Sequence, residues 1–127
     1  MNRAQLKQHF LETYHCELDY PWMKYPGNEV FRHSNNRKWF ALIMDVPREK
    51  LGLSGTESLD VVNLKCDPIL IGSLRREPGI FSAYHMSKAN WVTVALDGSV
   101  PDETIKMLLD MSFEATVVKI RRKNHSG

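Results

Sequence analysis

The chain has 127 residues, 43% hydrophobic, 9% aromatic and 25% charged, with a formal net charge of +2 and a pI near 8.6. That length suits one domain with a real core and is short for two, while the composition excludes disordered, collagenous and membrane-embedded classes. The charge is too weak to announce a polyanionic partner, so any such binding has to come from local clustering. No apolar run approaches the roughly 18–20 residues that cross a bilayer, and Met1 to Phe10 is polar and amphipathic where a secretion signal needs a continuous apolar stretch. A cytoplasmic protein without a membrane is expected. Cys16 and Cys66 are too few for a disulfide framework and are expected to be reduced.

In chain order, Asn2 to Tyr14 reads as an amphipathic helix, with Asn2 and Gln5 spaced as a capping box and Leu6, Phe10 and Leu11 as the buried stripe. Glu17 to Pro26 reads as a short strand followed by a loop, because Pro21, Pro26 and Gly27 break regular structure. Val30 to His33 and Trp39 to Val46 flank the turn cluster Ser34-Asn35-Asn36 and predict an antiparallel hairpin. In the second strand Trp39, Ala41 and Ile43 alternate with Phe40, Leu42 and Met44, so both faces are apolar and the strand belongs at the sheet centre.

Pro47 to Ser58 reads as a connection with one short turn, and Leu59 to Cys66 as a third strand. Asp67-Pro68 starts a helix that should run to about Glu77, since Asp caps free amides and Pro at the first helical position loses no needed bond. After Pro78-Gly79 come a short strand near Ile80 to Tyr84 and a hairpin-edge strand over Trp91 to Leu96, closed by Asp97-Gly98. Pro101 opens the longest helix, with Ile105, Leu108, Leu109, Phe113 and Thr116 on one face and Asp102 and Glu103 at its positive dipole end. The organisation expected is one domain over residues 1–118 and a basic tail over 119–127 carrying Lys119, Arg121, Arg122 and Lys123.

Leu64-Lys65-Cys66-Asp67-Pro68, Pro78-Gly79, Ala83-Tyr84-His85-Met86-Ser87-Lys88, Trp91-Val92-Thr93-Val94, Leu96-Asp97-Gly98 and Val100-Pro101-Asp102-Glu103 occur in an order and spacing that resemble the MmcQ/YjbR family. The resemblance covers roughly residues 2 to 118. It departs at Arg37-Lys38-Trp39-Phe40, where the family commonly shows glycine-lysine-methionine-phenylalanine, and at Phe113, where a tyrosine is usual. It implies an α+β fold with an antiparallel sheet flanked by helices, similar in outline to frataxin-like proteins and often described as a double-wing DNA-binding design. Shape alone does not fix function.

The residues themselves offer two candidate surfaces. Val30 to Met44 lacks carboxylates and joins Arg32, His33, Arg37 and Lys38 to Phe31, Trp39 and Phe40, so cations at a hairpin tip are placed to meet phosphates. Lys65, Arg75, Arg76, His85 and Lys88 form a second basic group around the helix that begins at Asp67. Solvated hairpin ends carry such cations anyway, and Arg75 and Arg76 also suit the negative end of a helix. From these groups Arg32, Arg37, Lys38, Lys65, Arg75, Arg76 and Lys88 are expected to contact DNA, mostly through phosphates and without reading bases.

The alternative is a protein-interaction surface, or one for a small anionic or planar ligand, made by Tyr84, His85, Lys88 and Trp91, which mixes an imidazole, a cation and two rings within eight residues. A histidine between apolar neighbours is also a common hydrogen-bonded structural residue. No enzyme is expected, because the chain shows no glycine-rich phosphate loop, nucleophile elbow or paired acid and base. Cys66 follows Lys65 but sits at a strand end facing a helix, which favours inert burial.

No metal or other cofactor is expected either. The first helix sets Arg3, Lys7 and His9 against Glu12, unlike the acidic ridge of iron-handling frataxins, and the five histidines are scattered. The fold expected is a single α+β domain with a mainly antiparallel sheet of about five strands, packed by the N-terminal helix and two later helices, with a monomer favoured.

Overall fold

The computed structural model describes residues 1–22, 24–25 and 27–117; the basic tail over 119–127 and the boundary at 118 lie outside the described residues. The elements are α1 (Arg3–Thr13), β1 (Cys16–Asp19), β2 (Glu29–His33), β3 (Trp39–Pro47), β4 (Ser58–Lys65), α2 (Pro68–Leu74), β5 (Ile80–Ser82), β6 (Trp91–Ala95) and α3 (Asp102–Thr116). A short 3-10 turn, Arg48–Leu51, follows β3. No described helix is long and apolar enough to cross a membrane.

The strands form one antiparallel sheet in the order β1-β2-β3-β4-β6-β5. The α+β class and the central position of β3 are as the patterning predicts. Two details differ from expectation. The sheet has six strands, since all six segments read as strands are paired, and β6 is an inner strand with β5 as the edge. The apolar Val92 and Val94 of β6 are buried under the helices, a burial that an exposed edge does not offer.

All three helices pack on one face of the sheet. Leu6 and Phe10 of α1 and Ile105, Leu108 and Leu109 of α3 meet Phe31, Phe40, Ile43, Val62, Leu64, Val92 and Val94 in the main core. Phe10 lies against Phe31 with ring centroids 4.1 Å apart and meets Phe40 edge-on at 5.7 Å. The capping box forms as read: the Gln5 amide donates to the Asn2 side chain and the Asn2 amide to the Gln5 side chain. Leu11, expected in the buried stripe, is 58% exposed. It lies three residues after Gln8 and seven after Ala4, both exposed, on the row of the helix that faces water. The second helix ends at Leu74, short of Glu77, because the amides of Arg76 and Glu77 bond carbonyls only three residues back. The chain has already loosened into turns before Pro78.

The hairpin contains an irregularity that simple alternation does not foresee. Phe31 pairs with Ala41 but Arg32 pairs with Trp39, so Phe40 is an extra residue in β3. This β-bulge makes Phe40 face the same side as Ala41 and Ile43 and sends Trp39 to the side of Leu42 and Met44. The expected grouping of Trp39 with Ala41 and Ile43 is therefore corrected. Ser112 of α3 completes the bulge: its hydroxyl donates to the Phe40 carbonyl at 2.5 Å and accepts from the Lys65 amide at 2.9 Å, where the β3–β4 ladder stops at Ala41 and Leu64. In the turn itself Arg37 adopts φ 60, the left-handed conformation that glycine takes without strain, at the position where the resembling family carries glycine.

A charged clamp ties α1 to the sheet. Glu29, only 4% exposed, takes Arg3 at 2.9 Å, Lys7 at 2.6 Å and the Tyr20 hydroxyl at 2.8 Å, while Arg3 also reaches Asp60 at 2.9 Å and the Gly27 carbonyl at 2.6 Å. Burial alone would raise the Glu29 pKa, but the bonds from Lys7, Arg3 and Tyr20 outweigh it and hold the carboxyl below its ordinary value. His33, 2% exposed, contacts the Thr116 hydroxyl at 2.6 Å and stacks near Phe113. Its burial, helped by Lys38 and opposed by Phe113 and Glu114, lowers the pKa.

Two expectations follow. Ser112→Ala strands two buried backbone groups and should cost about 1–3 kcal/mol in urea unfolding; a change within error would remove Ser112 as the partner of the bulge. Because the folded His33 pKa lies below the unfolded value, its contribution is present above about pH 6.5 and is lost as pH falls through the folded value. Denaturation at stepped pH should show this decline, and His33→Gln should flatten it; an undiminished slope in that variant would assign the decline elsewhere.

Candidate functional site

The sheet face away from the helices is apolar too. Val30, Leu42, Met44, Val46, Leu59, Val61 and Ala95 form a second buried cluster there, packed by Trp22, Trp39, Leu51, Leu53, Phe81, Tyr84 and Met86. No described helix covers this face. Its cover comes from the loops after β1, β3 and β5. An open cleft of about 600 Å³ lies in this layer, with Leu42 and Met44 among its lining and the rings of Trp22, Tyr25, Trp39, Tyr84 and His85 around them.

Each wall has a physical cause. Trp39 reaches the cleft because the Phe40 bulge turns it to this face, where Trp22 meets it edge-on at 5.5 Å and the Arg32 guanidinium lies over its ring at 5.3 Å. The opposite wall hangs on a buried polar pair. Asn63 and Thr93 are register partners on β4 and β6; the Thr93 hydroxyl donates to the Asn63 side-chain Oδ1 and accepts from the Tyr84 backbone amide at 2.9 Å. The Asn63 side-chain Nδ2 in turn donates to the Tyr84 backbone carbonyl at 3.1 Å. With both backbone groups of Tyr84 fixed, His85 turns into the left-handed region at φ 62 and stacks on the Tyr84 ring at 3.9 Å.

The structure divides the basic residues named from the sequence. Arg32 is paired with Asp19 at 3.0 Å and Arg37 with Glu17, so both hairpin arginines are engaged in ion pairs with β1. Arg75 caps α2, and Arg76 follows it. Arg75 borders a pocket with Lys50 and Leu51, which lie beyond the far end of β3, and with Ile80 to Ser82 at the β5 edge. That pocket lies along the β5 edge, three strands away from β3 in the sheet order. Lys38, Lys65 and Lys88 do come from one end: Lys38 precedes β3, Lys65 ends β4 opposite Trp91, and Lys88 lies in the loop that enters β6. Lys38 and Lys88 are exposed and Lys65 is partly so. Among the described residues none of the three is in an ion pair. Lys88 Nζ donates to the Ala83 carbonyl at 3.1 Å.

Of the alternative surface, Tyr84 and His85 line the cleft, whereas Lys88 and Trp91 lie outside its lining. Sequence reading missed Trp22 and Tyr25 as cleft walls and Asn63 and Thr93 as their support. The available signal was a polar residue inside each of two apolar runs, Val61-Val62-Asn63-Leu64 and Val92-Thr93-Val94. Cys66 is buried, and burial together with nearby Asp67 raises its thiol pKa, so lysine adjacency does not activate it.

The YjbR family model matches residues 11–115. The uncharacterized protein YyaQ of Bacillus subtilis is 40% identical over 116 residues, covering 91% of this chain and 98% of its own. The uncharacterized protein YjbR of Escherichia coli K12 is 40% identical over 97 residues, covering 75% and 80%. A crystal structure of a Pseudomonas syringae protein, 47% identical, superposes with a TM-score of 0.90 over 92% of this chain and all of that one. The Deinococcus radiodurans protein DR2400, 26% identical, gives a TM-score of 0.71 over 97% and 86%. With a family match across most of its length and relatives at this identity, the chain belongs to the YjbR family.

Proposed function

We propose that this protein is a nucleic-acid-binding module that meets its partner at the hairpin end of the sheet. The observation that carries the reading is the placement of Lys38, Lys65 and Lys88 at one end, none in an ion pair among the described residues, with Lys38 next to Trp39 in the chain and Lys88 in the loop that carries Tyr84 and His85; Lys65 borders a pocket shared with Asp67 and Glu114. Ammonium groups without carboxylate partners release the counterions condensed on a nucleic acid when they neutralise its phosphates, and that release supplies sequence-independent affinity. Arg32 and Arg37 are held by Asp19 and Glu17 of β1, and Arg32 also lies over the Trp39 ring, so on this reading they brace the hairpin. Arg75 and Arg76 sit beside the β5 edge and are assigned no part in the contact. The module needs no catalytic group and no cofactor for this task.

The cleft itself favours a second reading, a site for a small planar ligand, because its volume of about 600 Å³ is of the size that encloses one. On that reading binding is insensitive to salt and ignores nucleic acid.

Anisotropy titrations of labelled oligonucleotides across a salt series decide between them. Binding at low salt should weaken steeply as salt rises, by a slope near −0.7 to −0.9 per neutralised phosphate. Lys65→Glu with Lys88→Glu should reduce both affinity and slope, while Arg75→Glu with Arg76→Glu should leave them close to wild type. Equal loss from the two double variants would mean diffuse charge and no defined surface, and absence of binding at low salt would end the reading.

A further inference from the structure

We infer that the ring-lined cleft holds one unpaired nucleobase while the lysines at the hairpin end take the neighbouring phosphates, so that the protein prefers a single strand to a duplex. This rests on the nucleic-acid reading and adds to it the state of the strand. Phosphate contacts alone do not require a cleft, and a flat cationic surface serves a duplex equally well.

The cleft is suited to a base. Trp22, Tyr25, Trp39, Tyr84 and His85 supply flat π faces, and Leu42 and Met44 an apolar lining. Among the described residues no lysine or arginine lines it, so these walls do not draw phosphate into the cavity. Charge and rings are thus separated as a single strand separates phosphates from bases, the arrangement by which proteins bind such strands with little regard to sequence. A base inside a duplex is stacked above and below and paired at its edge, and enters a pocket only after it is unpaired and unstacked, which disfavours the duplex.

The geometry also answers for its own stability. Arg32 already covers Trp39 from outside the cleft and is neutralised by Asp19, so the ring stands without a ligand. The Asn63–Thr93 pair fixes the Tyr84 backbone independently of any occupant. Asp45 borders the cleft, but strand alternation turns its side chain to the helix side with register partner Asp60, and a Cβ on Gly27 would come within 2.9 Å of its carboxylate oxygen. That carboxylate therefore does not repel a strand lying on the opposite face.

The test uses the whole chain with two probes at low salt, a fluorescein-labelled oligothymidylate and a labelled hairpin duplex, read by anisotropy and by tryptophan emission. The variant is Tyr25→Ala with His85→Asn. Tyr25 is 62% exposed, and asparagine tolerates the positive φ at position 85, so the fold is retained. The single strand should bind about tenfold tighter than the duplex or better and quench tryptophan emission. The variant should lose about tenfold in single-strand affinity with duplex affinity unchanged. Equal or tighter duplex binding, with the variant indistinguishable from wild type, would overturn the base-binding role and leave the nucleic-acid reading standing. No binding of either probe would overturn both.

Discussion

One extra residue in β3 organises this molecule. Because Phe40 is inserted opposite Phe31, the strand presents Phe40, Ala41 and Ile43 to the helices and Trp39, Leu42 and Met44 to the other side. A side-chain period of two makes such a slip consequential, since everything before the insertion exchanges faces. Without it Phe40 would leave the ring cluster that it forms with Phe10, Tyr14, His33 and Phe113. Trp39 would then be driven into a core already filled. Ser112 makes the insertion tolerable by bonding the carbonyl and the amide that the interrupted ladder leaves. The contact of α3 with the sheet and the aromatic wall of the cleft are therefore two results of one backbone event.

The two faces of the sheet are closed by different means. On one, helices bring continuous apolar stripes, and the charged clamp of Arg3, Lys7 and Tyr20 on Glu29 fixes where α1 lies. A buried carboxylate with three donors is costly to disturb, because removing one partner leaves the others under-compensated, typically by several kcal/mol. On the other face loops do the covering. Loops bury less area per residue than helices and must satisfy their own amides, which is why Asn63 and Thr93 stand in the middle of apolar strands to hold Tyr84. A face covered in this way keeps an opening, and the opening is the cleft.

The sequence was most legible where a periodic pattern met an unambiguous end signal. The Asn2–Gln5 capping box, the Asp67-Pro68 helix start and the doubly apolar β3 all appear as read. It was least legible where the decision belonged to tertiary contacts. Arg37 in the left-handed region looks like any surface arginine until its φ is known, and the departure from glycine in its family is the only local hint. The carboxylates that neutralise Arg32 and Arg37 sit on β1, well before the hairpin, so a window lacking acids in sequence was not a window lacking them in space. The cleft combines Trp22, Trp39 and Tyr84 from three distant segments, and no single stretch carries its pattern.

The proposed contact surface lies at the hairpin end of the helix-free face. Amide and indole shift mapping by NMR, as an unlabelled oligothymidylate is added to labelled protein at low salt, tests it most directly. Shifts should concentrate on the indoles of Trp22 and Trp39 and the backbone around Lys38, Lys65 and residues 84–88, with α2 and the Arg75–Arg76 turn silent. Shifts gathered on the helix side, or spread evenly over every exposed lysine and arginine, would contradict it.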